Sequence, residues 1–290
     1  MSGLALGIVL LAAAIHASWN YQTKKSRHKI VFIWWFILVA LILYSPMFLY
    51  YFHQITISKT GWLCIVSTGL LHFLYFWFLG GAYERGELSL VYPLSRGLGL
   101  LLVPFLAFLF IQERLSFSGI LGIGLIVIGI YTIHLSSFSV RSFFEPHLVL
   151  GDSASLWALA TGVTIAAYSL VDKVGVRIVF PPVYIYLMFV ITFVILSMFV
   201  FTKPRGQVAK EWSVNKWSIL SLGFLVLLTY MMILFTMRLS QVSYVVAVRE
   251  VSIVFSSFYG VSRLGEKHGS QKLIGAVVIT IGVISIGLGG

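Results

Sequence analysis

Long stretches without charge constrain this chain more than any other feature of its sequence. Each stretch is long enough to cross the hydrocarbon core of a bilayer as a helix of about 20 residues. A helix is required, because lipid offers no hydrogen bonds to an exposed backbone. The predicted spans are 3–21, 31–52, 61–82, 88–111, 117–137, 153–172, 180–202, 216–237, 241–262 and 272–289.

The composition agrees with lipid as the main solvent. Only 10% of the residues are charged and 59% are hydrophobic, whereas soluble domains average about 25% charged residues. The net charge of +11 comes from basic residues in short clusters between apolar runs, which is typical of membrane topology and not of a nucleic-acid-binding face. With Cys64 as the single cysteine, no intrachain disulfide or cysteine-based metal site is possible. We predict no cofactor.

The loops predict how the chain lies in the membrane. Alternate loops, starting with the one after the first span, hold 13 lysines and arginines, and the intervening loops hold 5. The first set is expected to face the cytoplasm, which puts both termini outside. The first run is predicted to be retained as a span, because its basic cluster (Lys24, Lys25, Arg27 and Lys29) follows the apolar run instead of preceding it as in a signal peptide.

Residues 94–130 and 247–283 match each other without a gap. The match keeps four residues at one fixed offset, namely Arg96, Glu113, Gly122 and Gly129 in the first copy and Arg249, Glu266, Gly275 and Gly282 in the second. A weaker match aligns residues 17–20 with 166–169, and Lys24 then falls on Lys173. The chain is therefore predicted to contain two five-helix repeats, 1–140 and 150–290. Because five is odd, the repeats cross the membrane in opposite senses, as in many transporters.

Three local motifs also carry a resemblance to a known group. They are HASWN at 16–20, GELSLVYPLSRG at 86–97, and the ER and EK pairs after spans four and nine, which glycine-rich helices follow. The chain resembles the EamA type of the drug/metabolite transporter superfamily, with two copies of the EamA repeat. The resemblance implies an all-α membrane protein of ten transmembrane helices in two inverted five-helix repeats. It also implies a transporter of small metabolites in the bacterial cytoplasmic (inner) membrane.

Two arginines lie inside predicted spans, where a charge costs about 3 kcal/mol or more unless it is paired or hydrated. Arg96 and Arg249 are therefore predicted to line a central cavity and to contact an anionic group of the substrate. The alternative is a buried ion pair, either with Glu250, the one acidic residue well inside a span, or with another carboxylate. Glu250 is a candidate carrier of a coupling proton, or else half of a permanent salt bridge. Tyr92 shares a helix face with Arg96, and Pro93 between them favours a kink.

Polar and aromatic residues on other spans complete the predicted substrate site. His16 and Asn20 are four residues apart and share one helix face, and Tyr168 and Asp172 repeat that spacing. The alternative is an interfacial belt with hydrogen bonds between helices. The predicted substrate-binding residues are His16, Trp19, Asn20, Tyr92, Arg96, Tyr168, Asp172, Tyr230, Arg249 and Glu250.

The other repeated residues are interpreted as structural. Glu113 and Glu266 end spans four and nine and are predicted to cap the next helix or to tie the hairpin, not to act as an acid–base pair. The repeated glycines return to one helix face every seven residues and are predicted to form packing seams between spans four and five and between spans nine and ten.

The predicted function is secondary active transport of a small anionic or zwitterionic metabolite by alternating access. The expected partners are the substrate, the lipid bilayer and a coupling proton, with no nucleic acid and no enzymatic activity. The alternative is a membrane enzyme or a flippase that acts on a lipid or isoprenoid headgroup. Such an enzyme usually gathers carboxylates or histidines around a metal, and the sequence has no such cluster. The sequence leaves the substrate, the direction of transport and the oligomeric state open.

Overall fold

The structure, a computed structural model, describes residues 1–86, 88–134, 153–255 and 269–289, and its regular secondary structure in these ranges is helical. The helices are α1 Gly3–Lys25, α2 Lys29–Phe52, α3 Lys59–Arg85, α4 Leu88–Ile111, α5 Phe117–His134, α6 Ser153–Ile178, α7 Pro181–Val200, α8 Arg205–Leu239, α9 Val242–Arg249 and α10 Gly269–Gly289.

Helix length and surface both fit a bilayer. Within the described residues, seven segments are long and apolar enough to cross a membrane, namely α1, α2, α3, α6, α7, α8 and residues Leu94–Ile111 of α4. Shorter apolar segments lie in α5 and α10. Large apolar side chains cover the outside of the bundle, as at Phe108 (60% exposed) and Phe110 (73% exposed). Extensive apolar surface of this kind suits lipid and not water, so the prediction of an all-helical membrane protein is confirmed.

Most of the helix–helix contacts join the first half of the chain to the second half. In the described part of the chain, α1 packs on α8 and α9, α2 on α7 and α8, α3 on α6 and α7, α4 on α6 and α9, and α5 on α10. Helices of the first half therefore find their main neighbours in the second half. This arrangement brings the polar faces of α1, α3 and α4 against those of α6, α8 and α9.

Two lysines occupy corresponding positions and hold the ends of helices. Lys24 of α1 donates to two carbonyls at the C-terminal end of α3, each at 2.8 Å. Lys173 of α6 donates to two carbonyls at the C-terminal end of α8, at 2.6 and 2.5 Å. The acceptors are Tyr83, Gly86, Met237 and Ser240. A lysine at this position satisfies carbonyls that have no partner within their own helix and complements the helix dipole.

The repeated glycines join α5 to α10, which corrects the predicted seams between spans four and five and between spans nine and ten. A Cβ on Gly122 would lie 2.6 Å from the carbonyl oxygen of Gly282, and a Cβ on Gly282 would lie 2.6 Å from that of Gly122. A Cβ on Gly129 would lie 2.8 Å from the carbonyl oxygen of Gly275. Both helices present the same kind of small-residue face, so the two faces fit each other and the backbones come close.

The eighth helix begins earlier than predicted. Residues 203–215 are predicted to form a loop, but α8 starts at Arg205 and contains a break at Asn215 (φ −114°, ψ 15°). Glu211 anchors this first part, since its carboxylate accepts from the backbone amide of His28 at 3.0 Å and from Nδ2 of Asn215 at 2.7 Å. The segment is polar because it packs on the loop before α2, so hydropathy alone did not reveal the helix.

The ninth predicted span, 241–262, is interrupted in its described part. Helix α9 ends at Arg249, Glu250 and Val251 form a turn, and residues 252–255 are helical again. Arg249 and Glu250 are both buried, at 2% and 1% exposed, and so is every residue of α9. Residues 256–268, including the predicted cap Glu266, lie outside the described residues.

Glu113 has the structural role that was predicted, but it acts on a different helix. Its Oε1 accepts from the amide of Val242 at 2.8 Å, and its Oε2 accepts from the amide and hydroxyl of Ser243 at 3.2 and 2.5 Å. The carboxylate therefore caps the N-terminus of α9 in the other half of the chain, and not α5, which follows it. A left-handed residue, Gln112 (φ 52°), turns the chain just before it.

Candidate functional site

A small cavity of about 40 Å³ lies at the centre of the bundle, between α1, α3, α6, α7, α8 and α9. Its wall is mostly aromatic and contains one cation. The lining residues are His16, Trp19, His72, Tyr75, Phe76, Tyr168, Phe189, Val226, Thr229, Tyr230, Ile233 and Arg249. Ligand pockets usually measure about 300–1,000 Å³, so this conformation leaves room for water-sized molecules only.

Arg96 forms a buried ion pair that ties α4 to α9. Its Nη1 lies 3.5 Å from Oε1 of Glu250, and both side chains are at most 2% exposed. Its Nη2 contacts Nε2 of His16, and its guanidinium carbon lies 5.4 Å from the ring centre of Tyr92. In the part of the chain that the structure describes, the second carboxylate oxygen of Glu250 has no hydrogen-bond partner. The alternative interpretation of Arg96, an ion pair with Glu250, therefore describes this conformation.

Arg249 is a buried cation at the edge of the cavity. Its side chain is 2% exposed, and its Nη2 lies 3.5 Å from the hydroxyl of Tyr168. Its Nε has no hydrogen-bond partner within the described ranges. Among the described residues, no carboxylate oxygen lies within 4.0 Å of its nitrogens. A buried charge that lacks a counter-ion is unfavourable. Arg249 is therefore the group in this site that most needs an anionic partner.

His16 connects α1 to the arginines. Trp19 donates from its indole Nε1 to Nδ1 of His16 at 2.7 Å and thereby orients the imidazole toward Arg96. Asn20 donates to the backbone carbonyl of His16 at 3.0 Å and accepts from the hydroxyl of Tyr83 at 3.1 Å. The HASWN motif thus supplies a cavity residue, a residue that orients it, and a link from α1 to α3.

Asp172 lies one turn beyond Tyr168 on α6 and is 0% exposed. Three hydroxyl groups donate to its carboxylate, from Thr68 at 2.5 Å, from Tyr184 at 2.9 Å and from Tyr230. The donors come from α3, α7 and α8. In the described part of the chain, no cationic nitrogen lies within 4.0 Å of this carboxylate. Asp172 is therefore held by neutral donors only.

His72 belongs to the cavity wall, although the sequence analysis did not single it out. Its ring centre lies 4.2 Å from that of Tyr168 and 5.2 Å from that of Tyr230. Its Nδ1 lies 2.9 Å from the carbonyl oxygen of Thr68 and 3.1 Å from the Thr68 hydroxyl. Thr68 and His72 are four residues apart inside an apolar run, and this shared polar face was the available signal.

The predicted site residues fall into three groups by position. Five line the cavity, namely His16, Trp19, Tyr168, Tyr230 and Arg249. Three adjoin it around the ion pair, namely Tyr92, Arg96 and Glu250. Two lie behind the wall, namely Asn20 and Asp172. Their part in substrate binding stays a prediction. Among the described residues, no group of three or more His, Cys, Asp or Glu side chains is arranged to hold a metal ion.

Comparisons with known proteins give a consistent family. The model of the EamA-like transporter family matches residues 3–135 and again 152–288. The uncharacterized membrane protein YvaE of Bacillus subtilis (strain 168) is 30% identical over 80 residues, which are 27% of this chain and 67% of that protein. A solved structure titled only "Crystal structure of protein" superposes with a TM-score of 0.73 at 16% identity, over 98% of this chain and 96% of that chain. At that identity the superposition shows the fold alone.

Proposed function

This chain belongs to the EamA-like transporter family of the drug/metabolite transporter superfamily, and from that premise we propose that it is a secondary active transporter of a small anionic or zwitterionic metabolite. The observation that carries this choice of substrate is Arg249. It is a buried guanidinium at the cavity wall with no carboxylate within 4.0 Å among the described residues. An anionic group of the substrate would supply the missing counter-charge.

We propose ten spans in two inverted repeats, 1–140 and 150–290. The two stretches that the family model matches support this division. The packing supports it as well, because contacts recur when the halves are exchanged. The contact of α1 with α8 corresponds to that of α6 with α3, and the contact of α1 with α9 corresponds to that of α6 with α4. The lysine caps made by Lys24 and Lys173 correspond in the same way.

Transport in this proposal requires the bundle to open, because a cavity of about 40 Å³ is too small for a metabolite. Two sets of contacts hold the helices around the cavity together. The Arg96–Glu250 pair holds α4 against α9, and Asp172 joins α6 to α3, α7 and α8. Rocking of the two halves would break one set of contacts at a time and expose Arg249 to each side in turn. The proposed setting is the inner membrane of a bacterium with both termini outside, as the loop charges indicate.

A ligand screen tests the proposed substrate class. Small metabolite anions and matched neutral amides are added to the purified protein in detergent, and the midpoint of thermal unfolding is measured. An anion present at about 100 times its dissociation constant should stabilise the wild type by about 2.7 kcal/mol. The same anion should have little effect on Arg249→Gln, because the unpaired guanidinium is then absent.

The matched control for the screen is Arg205→Gln, which removes an exposed arginine at the start of α8. This variant should respond to the anion as the wild type does. Equal stabilisation of the wild type and Arg249→Gln, or stabilisation by the neutral amides alone, would contradict the proposed site.

A further inference from the structure

Asp172 is a buried carboxylate that lies behind the cavity wall and does not line the cavity itself. It faces side chains from three neighbouring helices, and those that carry a titratable or polar group are Cys64, Thr68 and His72 of α3, Tyr184 of α7, and Tyr230 of α8. The positive charge of Arg249 also acts electrostatically on two members of this cluster, His72 and Tyr230. Lys173, the next residue along α6, is bound to the end of α8 instead.

The hydrogen bonds of Asp172 depend on its ionisation. An ionised carboxylate is an acceptor only and has about four lone-pair positions, so the hydroxyls of Thr68, Tyr184 and Tyr230 can all donate to it. A protonated carboxyl group is itself a donor at one oxygen, so at least one hydroxyl must turn. The remaining bonds also lose the strength that the charge gives them. A proton on Asp172 therefore loosens the attachment of α6 to α3, α7 and α8 together.

A surface pocket of about 410 Å³ lies near Asp172. It is at the end of the bundle that carries the connections from α2 to α3, from α6 to α7 and from α8 to α9. Ile57 and Val179 line this pocket, and a Cβ on Gly61 would lie within 3 Å of both. Val179 directly follows the last residue of α6 and lies seven residues after Asp172, a distance of about 10 Å along the helix direction. Cys64 lies one turn beyond Gly61 on α3. The seam between α3 and α6 thus leads from the pocket floor past Cys64 to Asp172.

The charges in the bundle connect Asp172 to the anion site. Apart from Lys173, whose amine is bound at the end of α8, four charged groups are buried in or beside the cavity wall, namely Arg96, Arg249, Glu250 and Asp172. With both carboxylates ionised, their charges sum to zero, whereas a proton on Asp172 leaves one positive charge uncompensated. Tyr230 connects Asp172 to the cavity, since its hydroxyl donates to the carboxylate of Asp172 and its side chain lines the cavity. A proton on Asp172 therefore favours an anion beside Arg249, and the anion favours the proton by the same factor.

We propose that Asp172 is the proton-binding site of this transporter, that the proton enters through the pocket at the α2–α3 end of the bundle, and that its binding opens the α3–α6 seam and prepares the cavity for an anion. This inference rests on the proposed transport function. Glu250, the other candidate proton carrier, is the counter-ion of Arg96 in this conformation, and its part in carrying a proton stays a prediction.

Cys64 tests the proposal without any substrate. It is the single cysteine of the chain, is 8% exposed and faces Asp172. The purified full-length protein is reacted with a hydrophilic maleimide over a range of pH. Each rate is divided by the rate for the same chain unfolded in dodecyl sulfate, which corrects for the pH dependence of thiol ionisation in the unfolded chain. The normalised rate should rise about tenfold as the pH falls, because the loss of one charge-assisted hydrogen bond changes an opening equilibrium by about that factor.

Variants separate this explanation from others. Asp172→Asn should react quickly at every pH, and Tyr184→Phe, which keeps the carboxylate but removes one donor, should react faster than the wild type at neutral pH and retain a pH response. Arg96→Met/Glu250→Met, which removes the other buried carboxylate with its counter-ion, should respond to pH as the wild type does.

Three results would overturn the proposal. They are a normalised wild-type rate that does not rise as the pH falls, a pH response that disappears in Arg96→Met/Glu250→Met, and a rate that changes when sodium replaces choline at constant pH. Because the reaction needs no anion, its outcome is independent of the ligand screen. A pH-dependent rate together with equal anion stabilisation of the wild type and Arg249→Gln would keep the proton site and reject the substrate site.

Discussion

Glu250→Gln is expected to destabilise the protein by about 3–5 kcal/mol, the usual cost of removing one partner of a buried ion pair. The substitution leaves Arg96, which is 2% exposed, with no carboxylate within 4.0 Å in the described part of the chain. It also leaves Arg249, which already lacks a counter-ion among the described residues, next to a second uncompensated cation. The free energy of unfolding of the purified protein in detergent, measured with a chemical denaturant, gives the comparison.

Removal of both charges should reverse most of this loss. Arg96→Met/Glu250→Met replaces the pair with apolar side chains, and such replacements are often neutral or stabilising. The double variant is therefore expected to lie within about 1 kcal/mol of the wild type, which makes the two sites strongly non-additive. Glu84→Gln, at an exposed position near the end of α3, is the control and should change little. A single variant as stable as the double variant would mean that water already compensates the pair.

Gly122→Ala is expected to destabilise the protein by about 1–3 kcal/mol, because it forces a methyl group into a close backbone contact. The added Cβ would lie 2.6 Å from the carbonyl oxygen of Gly282 and 2.7 Å from a side-chain carbon of Ile286. Since one of these neighbours is backbone, α5 and α10 must move apart to admit it. Thermal unfolding of the purified variant measures the effect.

The same helix offers a matched control. Gly124→Ala makes the same chemical change two residues later in α5, where a Cβ would meet nothing within 4 Å. Both variants gain the higher helix propensity of alanine, about 1 kcal/mol, so Gly124→Ala should be neutral or stabilising, and the difference between the variants measures the seam. If both variants are equally stable, α5 and α10 do not meet at Gly122 in the protein.

The sequence predicted the helical membrane fold because an uncharged stretch of bilayer length has one backbone solution in lipid. It did not predict which helices meet. The glycine face of α5 could pack on any similar face, and its partner is α10 instead of the sequence neighbour α4. Glu113 was recognised as a cap from its position at a helix end, but only the three-dimensional arrangement reveals that it caps α9.

The charged residues of the site could also be predicted from the sequence, because a charge inside a long apolar stretch is unusual and costly in lipid. Arg96, Arg249 and Glu250 were found in this way. Their pairing was not, because one carboxylate and two arginines allow two ion pairs, and only the three-dimensional arrangement places Glu250 beside Arg96. The neutral donors to Asp172 were missed, since Thr68 and Tyr184 belong to residue types that are common in apolar helices.

Labelling of the cavity from the two faces of the membrane tests the central claim most directly. That claim is alternating access to the central cavity beside Arg249. Thr229→Cys on a Cys64→Ala background places one thiol in the cavity wall, at a position that is 5% exposed. An impermeant thiol reagent is added to sealed vesicles on one face or on the other, and the labelled fraction is measured. The account predicts labelling from each face in separate experiments while the vesicles stay closed to the reagent. Labelling from neither face, or from the same single face under all conditions, would contradict it.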